Sequence, residues 1–142
     1  MKILWTDGSA EPNPGVGGFA VLLAEDAGYK PVALGRELQS TNIRMEGQAL
    51  IAAMKYADGE PCEINTDSEF WVNVLTKWAP GWESNDWRKK SGPIKNLELV
   101  KEAYGLYKAG NVTLKWTRGH VGTELNELAD EWANRARMGE VL

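Results

Sequence analysis

Apolar residues change their spacing along the chain. Over residues 3–9, 17–24 and 32–38 they form short β-type runs separated by turn residues, which predicts three consecutive antiparallel strands. Helical spacing takes over at 43–57, and Cys62–Thr66 reads as a short buried strand. Residues 69–78 place Phe70, Trp71, Val74, Leu75 and Trp78 on one helical face, and residues 94–107 do the same with Leu97, Val100, Tyr104 and Tyr107. Residues 111–116 alternate as a strand. The last helix, 124–137, has an apolar face of Leu125, Leu128, Ala129, Trp132, Ala133 and Ala136. The predicted order is βββαβααβα. Helices separate the later strands, which must therefore run parallel, and the fold class is α/β: a five-stranded mixed sheet flanked by helices.

Length and composition narrow what this sheet can serve. A chain of 142 residues predicts a single domain, 1–142, around one core. The Gly/Pro clusters at 11–18 and 79–93 read as turns within it. No apolar stretch nears the ~20 residues of a membrane helix, and the start of the chain lacks a signal peptide's apolar run, so a cytoplasmic location is expected. The single cysteine, Cys62, excludes an internal disulfide, and with one histidine a zinc site of the usual Cys/His type is excluded too. Any metal must be held by oxygen. The net charge of -4 gives no general attraction to nucleic acid, yet the halves differ: residues 1–71 carry five bases and eleven acids, residues 72–142 eleven bases and nine acids. Arg88, Lys89, Lys90 and Lys95 are the expected centre of a locally basic surface, or else a solvated loop.

Three acids stand where a carboxylate is costly. Asp7 and Asp67 each end a predicted strand, the place where sites of open α/β sheets gather. Asp67 serves equally as an N-cap for the helix that follows, and Asp7, before Gly8, as a turn residue. Glu46 lies opposite Arg44, Gln48 and Lys55 on the helical wheel, among Leu50, Ala53 and Ala57, and so is expected to face the sheet as part of an ion pair or a metal site. Asp130 falls beyond the edge of its helix's apolar face and is not selected by this test. A cluster of carboxylates suits Mg²⁺ or Mn²⁺, and two such ions about 3.5–4 Å apart can drive phosphodiester hydrolysis. The glycines Gly15, Gly17 and Gly18 are not a nucleotide-binding loop, because a strand rather than a helix follows them.

The segments Thr6-Asp7-Gly8-Ser9, Asn13-Pro14-Gly15 with Gly17-Gly18, Thr41-Asn42, Arg44-Met45-Glu46, Thr66-Asp67-Ser68, Trp78 with Trp82 and Trp87, and Arg118-Gly119-His120 with Gly122, Asn126 and Asp130 resemble, in order and spacing, a bacterial-type type 1 ribonuclease H over nearly the whole chain. The resemblance implies the ribonuclease H-like fold and a metal-dependent endoribonuclease that hydrolyses the RNA strand of an RNA–DNA hybrid, leaving 5′-phosphate and 3′-hydroxyl ends. It implies that Asp7, Glu46, Asp67 and Asp130 hold two Mg²⁺ ions, with Mn²⁺ as a substitute, and that His120 assists proton transfer or product release. It further implies contacts to the RNA strand from Gly8, Asn13, Asn42 and Glu46, and to the DNA strand from Trp78, Thr41 and Asn96. Trp82 and Trp87 are expected to continue the Trp78 region. The expected partner is the hybrid, with no membrane, no organic cofactor and a monomeric chain.

Departures from the family pattern carry expectations of their own. The segment 79–86, a basic protrusion in bacterial relatives, here contains Glu83 and Asp86, so weaker hybrid affinity and a shallower salt dependence are expected. Glu69 stands where relatives often have Gln, and Ile43 replaces a polar residue beside Asn42. The chain begins at the first strand, from which a separate hybrid-binding domain is expected to be absent. Two alternatives are a nuclease of the same fold with another substrate and an inactive binding module; the intact carboxylates count against the second.

Overall fold

The computed structural model describes residues 1–118 and 124–142. Three long strands, β1 (Lys2–Glu11), β2 (Gly15–Glu25) and β3 (Gly28–Ser40), form an antiparallel meander. Then come α1 (Asn42–Ala57), β4 (Cys62–Thr66), α2 (Glu69–Asn73), a π-helical turn (Val74–Trp78), α3 (Ala79–Ser84), α4 (Leu97–Ala109), β5 (Val112–Trp116) and α5 (Glu124–Arg137). The sheet order is β3-β2-β1-β4-β5, with β4 parallel to both β1 and β5, as the intervening helices require. Among the described residues no helix is long and apolar enough to cross a membrane.

The main core lies between the sheet and α1, α2 and α4. Leu4, Val21, Leu50, Ile64, Trp71, Val74 and Val100 are all essentially excluded from solvent there. Helix α5 covers β1, β2 and β3. Two glycines set how closely helices approach the sheet. A Cβ at Gly8 would stand 2.3 Å from the Met45 carbonyl carbon and 2.5 Å from the Glu46 nitrogen, and one at Gly18 would stand 2.3 Å from the Arg137 nitrogen. Since these obstacles are backbone, only glycine lets α1 rest on β1 and α5 on β2. Gly15, Gly17 and Gly18 accordingly lie inside β2.

The helix predicted to end at residue 78 does not stop there. Pro80 has no N–H, and its ring would strike the carbonyl of Thr76 in a regular α-helix. The turn before it widens instead, so that the Ala79 N–H reaches the Val74 carbonyl, and the chain continues as α3. The two ends of the predicted apolar stripe face outward, Phe70 before the widened turn and Trp78 at its end. Trp71, Val74 and Leu75 are buried, whereas Phe70 and Trp78 are 38% and 41% exposed.

Candidate active site

Three elements deliver the acids. Asp7 lies in β1, Asp67 directly after β4 and Glu46 in the first turns of α1, and one carboxylate oxygen from each lies within 4.8 Å of the others. The close approach at Gly8 places Glu46 beside Asp7, which lies inside β1 rather than at its end as the sequence suggests, because β1 goes on pairing with β2 as far as Glu11. Asp7 is buried, accepts a hydrogen bond from the Gly8 N–H at 2.9 Å, and shares a hydrogen bond with Asp130 of α5. Asp130 shares a helix face with Ala133 and Arg137, the residues that lie against Gly18, which explains why it points toward the sheet although it stands off the apolar stripe. The structure thus brings together the four carboxylates. His120, with Gly119 and Gly122, lies outside the described residues.

Asp67 is not the N-cap of α2. Ser68 fills that role, its Oγ accepting from the Trp71 N–H at 3.2 Å, which leaves the Asp67 carboxylate to the acidic cluster. Burial pushes the Asp7 carboxyl up to about 9, aided by the charges of Asp67 and Asp130 and opposed by the Gly8 N–H. Burial likewise raises Glu46 to about 7, with Asp67 adding to the shift and a hydrogen bond from Ser68 working against it. Among the described residues the cluster offers only oxygen donors, and the crowding of negative charge that raises both pKa values is what a hard divalent cation relieves. The residues therefore fit Mg²⁺ or Mn²⁺.

The expected substrate contacts divide into two groups. At the tip of β1, Asn13 Oδ1 accepts from the Asn42 N–H at 3.2 Å and Asn42 Oδ1 accepts from the Ala10 N–H at 2.7 Å. These bonds tie the β1–β2 turn to the start of α1, and both asparagines are exposed. Thr41 is the N-cap of α1, its hydroxyl accepting from the Arg44 N–H at 3.1 Å. Arg44 in turn holds Glu37 through two nitrogens, at 3.0 and 3.2 Å, and reaches Asn96 Oδ1 at 3.4 Å. This bidentate contact holds Glu37 down at about 2.

On the other side a groove of about 440 Å³ is lined by Phe70, Trp78, Trp82, Lys89, Lys95 and Asn96, among others. Trp78 stands 5.9 Å from Phe70 and 6.1 Å from Trp82, between centroids. Trp87 does not continue this row. Its ring packs edge-on against Tyr104 of α4 at 6.1 Å, with Lys101 over it, so it belongs to the core side. The basic surface expected around 88–95 is exposed, and Lys89, Lys90 and Lys95 make no ion pair among the described residues. The acids of the 79–86 segment are partly spent internally: Glu83 pairs with Lys108 at 2.6 Å, and Asp86 lies 4.0 Å from Arg88. Glu69 is exposed in the first turn of α2, and the Ile43 carbonyl accepts the Trp71 indole N–H at 2.7 Å.

Sequence reasoning missed Trp116. It stands last in β5, 46% exposed, and donates its indole N–H to the Asp67 carbonyl at 3.1 Å. Only its register, opposite Thr66 in the parallel β4–β5 pair, could have suggested this.

Comparison with known proteins places this arrangement. The RNase H family model matches residues 1–138. A protein named ribonuclease H from Granulibacter bethesdensis is 40% identical over 138 residues, covering 95% of this chain and 91% of its own. Another of that name, from Dichelobacter nodosus, is 41% identical over 136 residues, covering 94% and 89%. Among solved structures, that of LC9-RNase H1, described as a type 1 RNase H with the type 2 active-site motif, superposes with a TM-score of 0.78 at 26% identity, covering 99% of this chain and 74% of that one.

Proposed function

The chain belongs to the RNase H family, that of metal-dependent ribonucleases, and on that premise we propose that it cuts the RNA strand of RNA–DNA hybrids by two-ion hydrolysis, leaving 5′-phosphate and 3′-hydroxyl ends. The observation that carries this reading is the convergence of Asp7, Glu46 and Asp67 within 4.8 Å, with Asp130 bonded to Asp7, beside an exposed aromatic row flanked by lysines.

In this reading Asp7, Glu46, Asp67 and Asp130 hold the ions. Bound there, divalent cations lower the pKa of water to give a nucleophile near neutral pH and offset charge on the leaving oxygen. The protein's own residues bind and orient. Glu46, Asn13 and Asn42 flank the side where an RNA sugar passes, and an amide offers the 2′-hydroxyl both donor and acceptor, the chemistry needed to tell RNA from DNA. The ring of Trp78 offers a stacking surface to the DNA strand, with Lys89 and Lys95 near its phosphates and Thr41 and Asn96 farther along it. His120 is assigned to proton transfer or product release.

The test is cleavage of one labelled sequence presented as RNA–DNA hybrid, RNA duplex, DNA duplex and single-stranded RNA, each with Mg²⁺, Mn²⁺ or a chelator. Cutting of the RNA strand of the hybrid alone, only with metal, is the expected result. Cutting of the other substrates at comparable rates, or of none, overturns it.

A further inference from the structure

We infer that Trp116 is a positioning residue that fixes Asp67 and thereby sets the metal affinity of the carboxylate cluster, an inference that rests on the metal-dependent reading above. Asp67 follows Thr66, the last residue of β4 to pair with β5. The end of β5 reaches over it. Trp116 Nε1 donates to the Asp67 carbonyl at 3.1 Å, and the next residue, Thr117, donates to the Thr66 carbonyl from its backbone N–H at 2.8 Å and from its hydroxyl at 3.3 Å. From the opposite flank the Ser68 N–H donates to Thr66 Oγ1 at 3.1 Å, while Ser68 Oγ caps α2. The peptide units on both sides of Asp67 are held, which fixes the direction in which its carboxylate projects toward Asp7 and Glu46.

The cost of keeping a tryptophan here is not explained by burial. The residue is 46% exposed on an edge strand, whereas Trp71, a core tryptophan, is fully buried. The polar contact of Trp116 among the described residues is its N–H to the Asp67 carbonyl. Groups that hold metal ligands from outside commonly change metal affinity about 10- to 100-fold when removed.

Trp116→Phe keeps an aromatic ring and removes the donor. By titration calorimetry without substrate, W116F is expected to bind Mg²⁺ about tenfold more weakly than the parent, and to melt within ~3 °C of it in the presence of chelator. Hybrid cleavage by W116F should recover as Mg²⁺ is raised, which a packing defect would not produce. Parent-like Mg²⁺ affinity in W116F overturns the inference while leaving the proposed function intact. A parent that neither binds Mg²⁺ nor cuts hybrid overturns both. In the unaltered chain the Trp116 indole N–H resonance should move during Mg²⁺ titration with the calorimetric midpoint. A resonance that does not respond overturns the coupling even where W116F folds poorly.

Discussion

Replacing Asp7 by asparagine should destroy activity and yet stabilise the metal-free protein. Asp7 is 6% exposed, and its carboxyl rises from 3.8 to about 9 because of burial first and of Asp67 and Asp130 next. An acid whose native pKa is raised contributes most to stability below its unfolded value, and that contribution is lost as pH climbs toward the native value. From pH 3.8 to pH 7, unfolding releases a proton that the native site keeps. At about 1.4 kcal/mol per pH unit this costs the native state up to about 4 kcal/mol. Asparagine has the same shape, still accepts from the Gly8 N–H, can donate to Asp130, and does not titrate. The variant should therefore be about 1–4 kcal/mol more stable than the parent at pH 7 in chelator, a rise of roughly 3–10 °C in Tm. The gain should vanish toward pH 4. Thermal melts from pH 4 to pH 9 with chelator, parent against D7N, provide the measurement. A D7N that melts below the parent at pH 7, or a difference that does not change with pH, would refute the reasoning and make Asp7 a structural residue.

Gly8→Ala should cost about 3 kcal/mol, because the new Cβ meets the α1 backbone at 2.3 Å, and should weaken Mg²⁺ binding by moving Glu46; unchanged denaturant midpoint and Mg²⁺ affinity would contradict the close-approach role. Trp78→Ala should raise KM for hybrid about tenfold with kcat and Tm nearly unchanged, as loss of one stacking surface implies; a lowered Tm would return Trp78 to the core. His120→Ala should slow turnover about 100-fold while leaving Mg²⁺ binding intact, and undetectable Mg²⁺ binding in that variant would make it a ligand. The salt dependence of hybrid binding should be shallow, and Lys89→Ala and Lys95→Ala should each reduce the log–log slope by about one; slopes unchanged in both variants would exclude these lysines from phosphate contact.

The order and pairing of the elements were legible because each depends on a local period. Alternation in β1 and the shift to helical spacing in α1 report which face is buried, and separation by helices dictates the parallel pairings of β4. The π turn was not legible, since the stripe 70, 71, 74, 75, 78 fits a regular helix and Pro80 reads as a turn; the widening that accommodates it occurs one turn earlier. Trp78 was assigned to the DNA side through the family pattern, whereas periodicity alone puts it in the core. Trp87, by contrast, sits near Trp82 in sequence but turns to Tyr104, a choice made by the fold of the 85–96 segment and not by any period.

Among the acids, legibility followed the kind of constraint each one answers. Glu46 was visible because an acid on the apolar side of a helix violates a local rule. Asp67 was ambiguous because Asp and Ser both cap helices, and only the bond from Trp71 to Ser68 decides between them. Asp130 violates no rule of its own helix. What turns it inward is the contact of α5 with β2, which depends on the missing Cβ of Gly18, more than a hundred residues away in sequence. Gly8 acts in the same way on Glu46. The cluster is therefore specified as much by two absent side chains as by four acidic ones. A helical wheel, which compares a residue only with its own helix, cannot register that. It follows that substitution at Gly18, more than a hundred residues from Asp130 in sequence, should disturb Asp130 before it disturbs Glu46, and substitution at Gly8 the reverse.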